Sequence, residues 1–523
     1  MDMNDNIGIY LLKKGHKGII HAVFSRLGVF IVMILLQVLC FLAVFKWFGD
    51  FLPHVYGLTI VFTVAVALYL LSTEIDPTAK ITWLIAIMAL PVFSAILFIY
   101  TRTDIGNRRL KRRVNHIISS TRDQLLQNPD TYDELKEENA HISALSTYVN
   151  HSDSFPIHKN SSVKYFPLGE DKFKEMLVQL EQAKSFIFLE YFIIDEGKMW
   201  GQILEILARK AKEGVDVRVM YDGTCEFSLL PHSYPKKLEQ LGIKCKAFAP
   251  LTPFVSTHYN YRDHRKILVI DGHTAFTGGV NLADEYINEV ERFGHWKDTA
   301  VMVKGEAVRN FTLMFLQLWS ITETNINYEK FLSMPCPEIE AKGYVMPYGD
   351  CPLDDDKVGE QVYIDILNRA HSYVHIMTPY LILDGEMENA LKFAAERGVD
   401  VKIILPGIPD KKVPYALAYT HYKALLRKGI EIYQYTPGFV HAKSFVADNI
   451  EAVVGTINLD YRRLYHHFEC ATYMYDVDCI PEIEKDFIDT LKKCEQITLA
   501  NMKSQPLSRK VRGFLLKGIA PLL

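Results

Sequence analysis

The chain has 523 residues, 49% of them hydrophobic, a formal net charge of −4 and a pI near 6.5. That length suggests two or three units, and the mild acidity argues against nucleic acid as a partner held by bulk charge. The 8 cysteines are scattered, with no Cys-x-x-Cys and no paired histidine spacing, so a disulfide framework or zinc site is not expected and a reducing compartment fits.

Residues 1–26 form a basic tail with Lys13, Lys14, Lys17 and Arg26. Residues 27–100 read as a membrane anchor with apolar runs at 27–45, 56–71 and 81–100, the last containing Pro91. The first run has about the 20-residue length of a span; the second is short enough to suit a core helix as well. No small-residue cleavage site is obvious, so the runs read as retained anchors. Arg102, Arg108, Arg109, Lys111, Arg112 and Arg113 follow the third run and assign the remainder to the cytoplasmic side. Three full spans would put the basic tail outside, against the same rule. Either one run is re-entrant or interfacial, or the second cluster dominates. Both options give a multi-pass cell-membrane protein with its catalytic part on the inner leaflet.

Residues 101–160 are basic and then acidic, a linker or helices without assigned chemistry. From 161 the chain repeats itself, with halves at 161–335 and 336–500. SFIFLEYFIID (185–195) precedes a helical stretch and EGVDVRVMYDG (213–223); SYVHIMTPYLILD (372–384) precedes a helix and RGVDVKIILPG (397–407). Each half reads as an α/β domain whose sheet is covered by helices on both faces, and a repeat of this size predicts two similar domains about a pseudo-twofold axis.

Each half ends in the same motif. HRKILVIDGHTAFTGGVN (264–281) and HAKSFVADNIEAVVGTIN (441–458) both fit His-x-Lys-x4-Asp-x6-Gly-x-x-Asn. Asp271-Gly272 and Asp448-Asn449 are turn pairs, so each copy predicts a β-hairpin. Residues two apart share a strand face, which sets His264 beside Lys266 and His441 beside Lys443. Asp271 and Asp448 complete the six-residue catalytic motif, but they fall on the other parity and read as local structural groups. Gly278 and Gly455 would let the backbone approach a substrate, and Asn281 and Asn458 would supply amide donors to it.

The chemistry these motifs suggest is phosphoryl transfer through histidine. One imidazole attacks phosphorus while the other protonates the leaving oxygen. The lysines hold the phosphate oxygens, a task often given to Mg²⁺, so neither metal nor other cofactor is expected. Asp298 in HWKDT and Glu469 in HHFEC follow the hairpins at similar places. A carboxylate on an imidazole Nδ1 would orient it and leave Nε2 for phosphorus; a solvent-exposed acid is the other reading of Asp298. His258, His295, His466 and His467 lack the His-x-Lys context and read as local structure. Tyr191, Thr378, Pro379 and Tyr380 end strands aimed at the site, as pocket lining or as packing. The final stretch, within 501–523, contains SRKVRGFLLKGIAPLL, a basic amphipathic tail that suits an anionic membrane surface or a docking helix.

The paired motifs resemble the HKD signature of the phospholipase D superfamily. Together with HWKDTAVMVKGEAVRNF, TPYLILD, ERGVDVKIILPG and VGTINLDYRR they are similar to the bacterial cardiolipin synthases over nearly the whole chain. The resemblance implies that the two halves form one active site. It also implies a reaction that joins two phosphatidylglycerol molecules into cardiolipin and glycerol through a phosphohistidine. His264 as nucleophile and His441 as acid and base follow from the resemblance alone, since the motifs themselves are almost symmetric. The expected partners are phosphatidylglycerol and anionic membrane lipid.

Overall fold

The structure is a computed structural model that describes residues 52–73, 75, 77–103, 108–250, 261–323, 325–354, 356–460, 467–503, 513 and 516. The basic tail 1–26, the apolar run 27–45, His258, His466 and nearly all of the C-terminal tail lie outside the described residues. The chain divides into two compact units, one taking in the helices of 52–103 and the other residues 109–503.

In the smaller unit the second apolar run lies in α1 (Leu52–Ser72). The third is divided by Pro91, which lacks the N–H to continue a helix, into α2 (Pro77–Ala89) and α3 (Pro91–Thr103). Val66, Leu70, Ile87, Ala95 and Phe98 form its core, with the Trp83 ring 5.3 Å from Phe98. Most other apolar side chains point outward; Leu58 is 75% exposed and Met88 73%. Among the described residues no helix is long and apolar enough to cross a membrane.

The larger unit begins with three helices where the sequence left a linker or helices open. These are α4 (Arg108–Thr121), α5 (Pro129–Glu138) and α6 (Ala140–Asp153). They are parts of the fold: Leu135, Ile142 and Val149 are buried in its main core, and Arg113 of α4 donates to the carbonyls of Ser320 and Glu323. Asn139 caps α6 by accepting from the backbone of His141 and Ile142.

Two sheets of the same plan follow. The first half supplies β1 (Ser161–Phe166), β2 (Phe186–Tyr191), β3 (Asp216–Asp222), β4 (Lys244–Phe248), β5 (Arg262–Asp263), β6 (Lys266–Ile270), β7 (Thr274–Gly278), β8 (His295–Lys297) and β9 (Ala300–Gly305). The second half supplies β10 (Tyr344–Asp350), β11 (Tyr373–Met377), β12 (Leu381–Ile382), β13 (Asp400–Pro406), β14 (Glu431–Tyr435), β15 (Gly438–Val440), β16 (Ser444–Ala447), β17 (Glu451–Gly455), β18 (Leu459–Asp460), β19 (His467–Tyr475) and β20 (Cys494–Ile497). The first sheet runs β1-β9-β7-β6-β2-β3-β4. The second runs β10-β19-β17-β16-β11-β13-β14, with β20 added at its edge. In each, two parallel pairings (β2/β3/β4 and β11/β13/β14) adjoin an antiparallel motif hairpin. Strands such as FIFLEY are buried along their whole length, as expected where helices cover both faces.

The halves are stitched at the motifs. β5, just before His264, pairs in parallel with β19 of the second half. β15, just before His441, pairs in parallel with β8 of the first. The His264 N–H donates to the Phe468 carbonyl at 2.9 Å, and the His441 N–H to the Lys297 carbonyl at 2.7 Å. Each motif histidine is therefore delivered by its own half and clamped by the other.

Candidate active site

The clamps decide which carboxylate meets which histidine. Phe468 precedes Glu469 and Lys297 precedes Asp298, so each crossing carries an acid from the opposite half to the imidazole. His264 Nδ1 lies 2.9 Å from Glu469 Oε2, and His441 Nδ1 lies 2.7 Å from Asp298 Oδ2. Both acids are wholly buried, so Asp298 is no solvent-exposed group. A carboxylate on Nδ1 fixes the tautomer and the orientation of each ring.

Burial and charge then set the protonation states. His441 is held down at about 4, first by burial and then by the Lys443 charge, against the pull of Asp298. Lys266, from the other motif, adds to the depression, so the two motifs share one electrostatic environment. Burial opposes ionisation of Asp298, but His441 and Lys443 outweigh it and keep the carboxyl below its usual range. Lys266 Nζ donates to the His264 carbonyl at 2.6 Å, and Lys443 Nζ does the same to the His441 carbonyl while lying 2.9 Å from His441 Nδ1. The carbonyl of its own histidine is thus the resting acceptor of each buried ammonium.

Four motif residues are held in structural contacts. Asp271 accepts from the backbone N–H groups of Lys184, Ser185 and Phe186, and Asp448 from those of His371, Ser372 and Tyr373. Each thereby ties the turn of its hairpin to the start of the neighbouring strand, about 16 Å of extended chain from the motif lysine. Gly278 and Gly455 are not substrate contacts either. A Cβ at Gly278 would stand 2.4 Å from the Thr299 carbonyl oxygen, and one at Gly455 2.5 Å from Ala471 Cα, so these glycines permit close strand pairing.

The two asparagines part company. Asn281 Oδ1 accepts from the Ile193 N–H at 3.1 Å and its amide donates to the Tyr286 hydroxyl at 2.8 Å. It is a brace, with the Tyr286 ring 5.4 Å from that of His441, and not the free donor expected. Asn458 is equally buried, yet among the described residues neither of its amide atoms has a hydrogen-bond partner.

Other residues of the site escape the motif pattern. Lys172, on the helix Gly169–Glu181, is fully buried and donates to the Val280 carbonyl at 3.2 Å and the Tyr191 hydroxyl at 3.3 Å. Burial lowers it to about 7, with Asp298 opposing that drop. Its counterpart is the Tyr363 hydroxyl, which donates to the Ile457 carbonyl. A lone lysine outside any repeat gives no sequence signal. Thr456 donates to Glu469 Oε2, whereas Gly279 takes its place in the first motif, where a Cβ would stand 1.9 Å from Asp298 Oδ1. Arg265 donates to Glu190 at 2.6 Å and to the Met314 carbonyl. Its place in the second motif is taken by Ala442. Tyr191 and Thr378 serve as packing and strand-end bonds, while Tyr380 donates to Asp410 at 2.6 Å. His295 lies 3.1 Å from the Tyr435 hydroxyl, a local contact as expected. His467 is closer to the chemistry, with its ring 5.7 Å from that of His264.

Known proteins resemble this chain. A family model described as "Cardiolipin synthase, PLD-like domain" matches residues 176–319 and 363–491, one match in each half. An uncharacterized protein of Streptococcus mutans is 57% identical over 87% of this chain and 99% of its own. A cardiolipin synthase of Alkalihalophilus pseudofirmus is 32% identical over 91% of this chain and 95% of its own. One of Halalkalibacterium halodurans is 30% identical over 95% and 100%. The crystal structure of phosphatidylserine synthase from Haemophilus influenzae superposes with a TM-score of 0.56 at 14% identity, covering 72% of this chain and 97% of that one, a likeness of fold.

Proposed function

This chain belongs to the cardiolipin synthase family with phospholipase D-like domains, and from that membership we propose that it transfers a phosphatidyl group from one phosphatidylglycerol to another, yielding cardiolipin and glycerol. The observation that carries the reading is the crossed pair of buried dyads, His264 with Glu469 and His441 with Asp298. It supplies two imidazoles, each held at Nδ1 by a buried carboxylate from the opposite half, and this supports Nε2 as the reacting atom.

His264 Nε2 attacks the phosphodiester phosphorus of the first lipid. The bond to the terminal glycerol oxygen breaks as His441 gives that oxygen a proton, leaving a phosphatidyl-histidine. His441, now neutral, takes the proton from the free glycerol hydroxyl of the second lipid. That oxygen attacks phosphorus, the P–N bond breaks, and both histidines return to their starting states. One phosphodiester replaces another, so no external energy source is needed. Lys266 and Lys443 swing from the histidine carbonyls to the phosphate oxygens, and Asn458 adds a preformed amide.

The low value of His441 imposes a condition. In the ligand-free site it is neutral at pH 7, so it takes up its proton together with the anionic phosphodiester, whose charge raises the imidazole. The same observation favours a second reading in which neutral His441 attacks and His264 is the acid. Trapping the intermediate with an alkaline denaturing quench, in which the P–N bond survives, and mapping the phosphorylated peptide separates the two.

The anchor fits lipid substrates. The outward apolar side chains of α1, α2 and α3 form the kind of surface that soluble monomers avoid, and the basic α4 follows, consistent with a multi-pass protein whose catalytic unit faces the cytoplasm. Purified protein in liposomes with labelled phosphatidylglycerol as the only substrate, without metal or nucleotide, is expected to give cardiolipin plus glycerol. Phosphatidic acid alone would make water the acceptor and replace this reading with a hydrolase.

A further inference from the structure

His467 occupies in the first half-site the place that Trp296 occupies in the second, two residues before the carboxylate that meets the motif histidine. The contacts match: the His467 and His264 rings are 5.7 Å apart, the Trp296 and His441 rings 5.5 Å. An indole cannot ligate a metal and an imidazole can. In the first half-site His264, His467 and Glu469 each offer one ligand atom, all within 4.8 Å of one another. Two imidazoles and a carboxylate form a donor set used for zinc and other first-row divalent cations. In a tetrahedral site with bonds of about 2.1 Å, neighbouring donors stand about 3.4 Å apart. The 2.9 Å separation of His264 Nδ1 from Glu469 Oε2 and the 3.9 Å separation of His467 Nδ1 from Glu469 Oε1 bracket that spacing.

We propose that His264, His467 and Glu469 form an inhibitory site for a divalent transition cation of the Zn²⁺ class. A cation on His264 Nδ1 displaces the hydrogen bond to Glu469. A neutral imidazole carries one proton, so that proton moves to Nε2 and leaves no lone pair to attack phosphorus. A cation on Nε2 caps the same atom directly. Lys266, whose ammonium rests on the His264 carbonyl, repels the cation and keeps it exchangeable. Among the described residues the second half-site, with Trp296 in place of the imidazole, has no such donor set. Cation binding stands on the geometry alone; that binding inhibits rests on the transferase reading.

The test uses the full chain, stripped with chelator in detergent, and titrates it with Co²⁺ as a visible stand-in for Zn²⁺. Wild type is expected to develop ligand-field bands saturating at one equivalent and bleached by Zn²⁺. His467→Gln, and His467→Trp, which copies the second half-site, should lose them. In the liposome assay, rates normalised to each variant's own metal-free value should show Zn²⁺ inhibition of wild type that chelator reverses. His467→Gln should need at least about ten-fold more Zn²⁺, the smallest loss expected even for a change in a metal's outer shell. Absence of Co²⁺ bands in wild type overturns the proposal whatever the variants do, as does equal binding or equal Zn²⁺ sensitivity in His467→Gln. Histidine-dependent Co²⁺ binding by a protein that makes no cardiolipin would support the site and remove the transferase reading.

Discussion

The two half-sites are built on one plan and finished differently. Each has a His-x-Lys strand end, a hairpin turn held by an aspartate, and a histidine clamped by a strand from the other half. Around His264 stand Glu469, a Thr456 hydroxyl on that carboxylate, and His467. Around His441 stand Trp296, Tyr286 and Asp298, the last with no hydroxyl donor among the described residues. The shared parts are backbone arrangements that any copy of the repeat must keep to fold. The differences lie in side chains that contact the imidazoles, and they suit a reaction that asks one histidine to attack and the other to carry a proton.

The largest effects test what the halves have in common. His264→Ala and His441→Ala should each abolish cardiolipin formation, with losses of about 10⁴-fold or more; substantial activity in either would remove the two-histidine mechanism. Asp298→Asn and Glu469→Gln should each lower kcat by about 10²- to 10⁴-fold, since an amide no longer enforces the tautomer with Nε2 free. A Glu469→Gln loss clearly smaller than that of Asp298→Asn would show that Thr456 already weakens the first dyad.

The asparagines sharpen the comparison. Asn281→Ala leaves the Ile193 N–H and the Tyr286 hydroxyl unsatisfied and should destabilise the protein by about 1–3 kcal/mol in thermal or urea unfolding. Asn458→Ala removes a buried amide without a described partner and should leave stability nearly unchanged while kcat/KM falls. Equal destabilisation by both would mean that Asn458 is a second brace.

The smallest effects concern protons. Because His441 is lowered from the usual value to about 4, the unfolded chain protonates this group first as pH drops. Its stabilising contribution is complete above about pH 6.5 and is lost between there and pH 4. His441→Gln should therefore flatten the melting-temperature profile in that window and not above it. Lys172→Met should shift the pH dependence of kcat, because it removes a charge that titrates near 7 beside Asp298, while Lys172→Arg should retain the wild-type profile at low pH. A Lys172→Met variant whose rate falls by the same factor at every pH would reduce that lysine to packing.

Much of this was legible in the residues. Strand periodicity, turn pairs and the twofold recurrence of one spacing follow from local backbone geometry, so the hairpins, the α/β repeat and the His-x-Lys pairs could be read directly. The parity that separates the aspartates from the His-x-Lys pairs was legible too, since side chains alternate along a strand. The reading of Gly278, Gly455 and Asn281 as substrate contacts did not survive, because a small residue or an amide is needed equally where strands approach or a loop must be braced. For residues 101–160 the sequence could not choose between a linker and helices, because their polar surface hides the few apolar positions that dock.

By itself the sequence determined the composition of the site: two histidines, two lysines, and an acid after each hairpin. The tertiary structure alone decided that each acid serves the other half's histidine, that Lys172 lies beside Asp298, and that His467 faces His264. These are contacts between residues far apart in the chain. Their distances are set by the pairing of β5 with β19 and of β8 with β15, which no local pattern encodes.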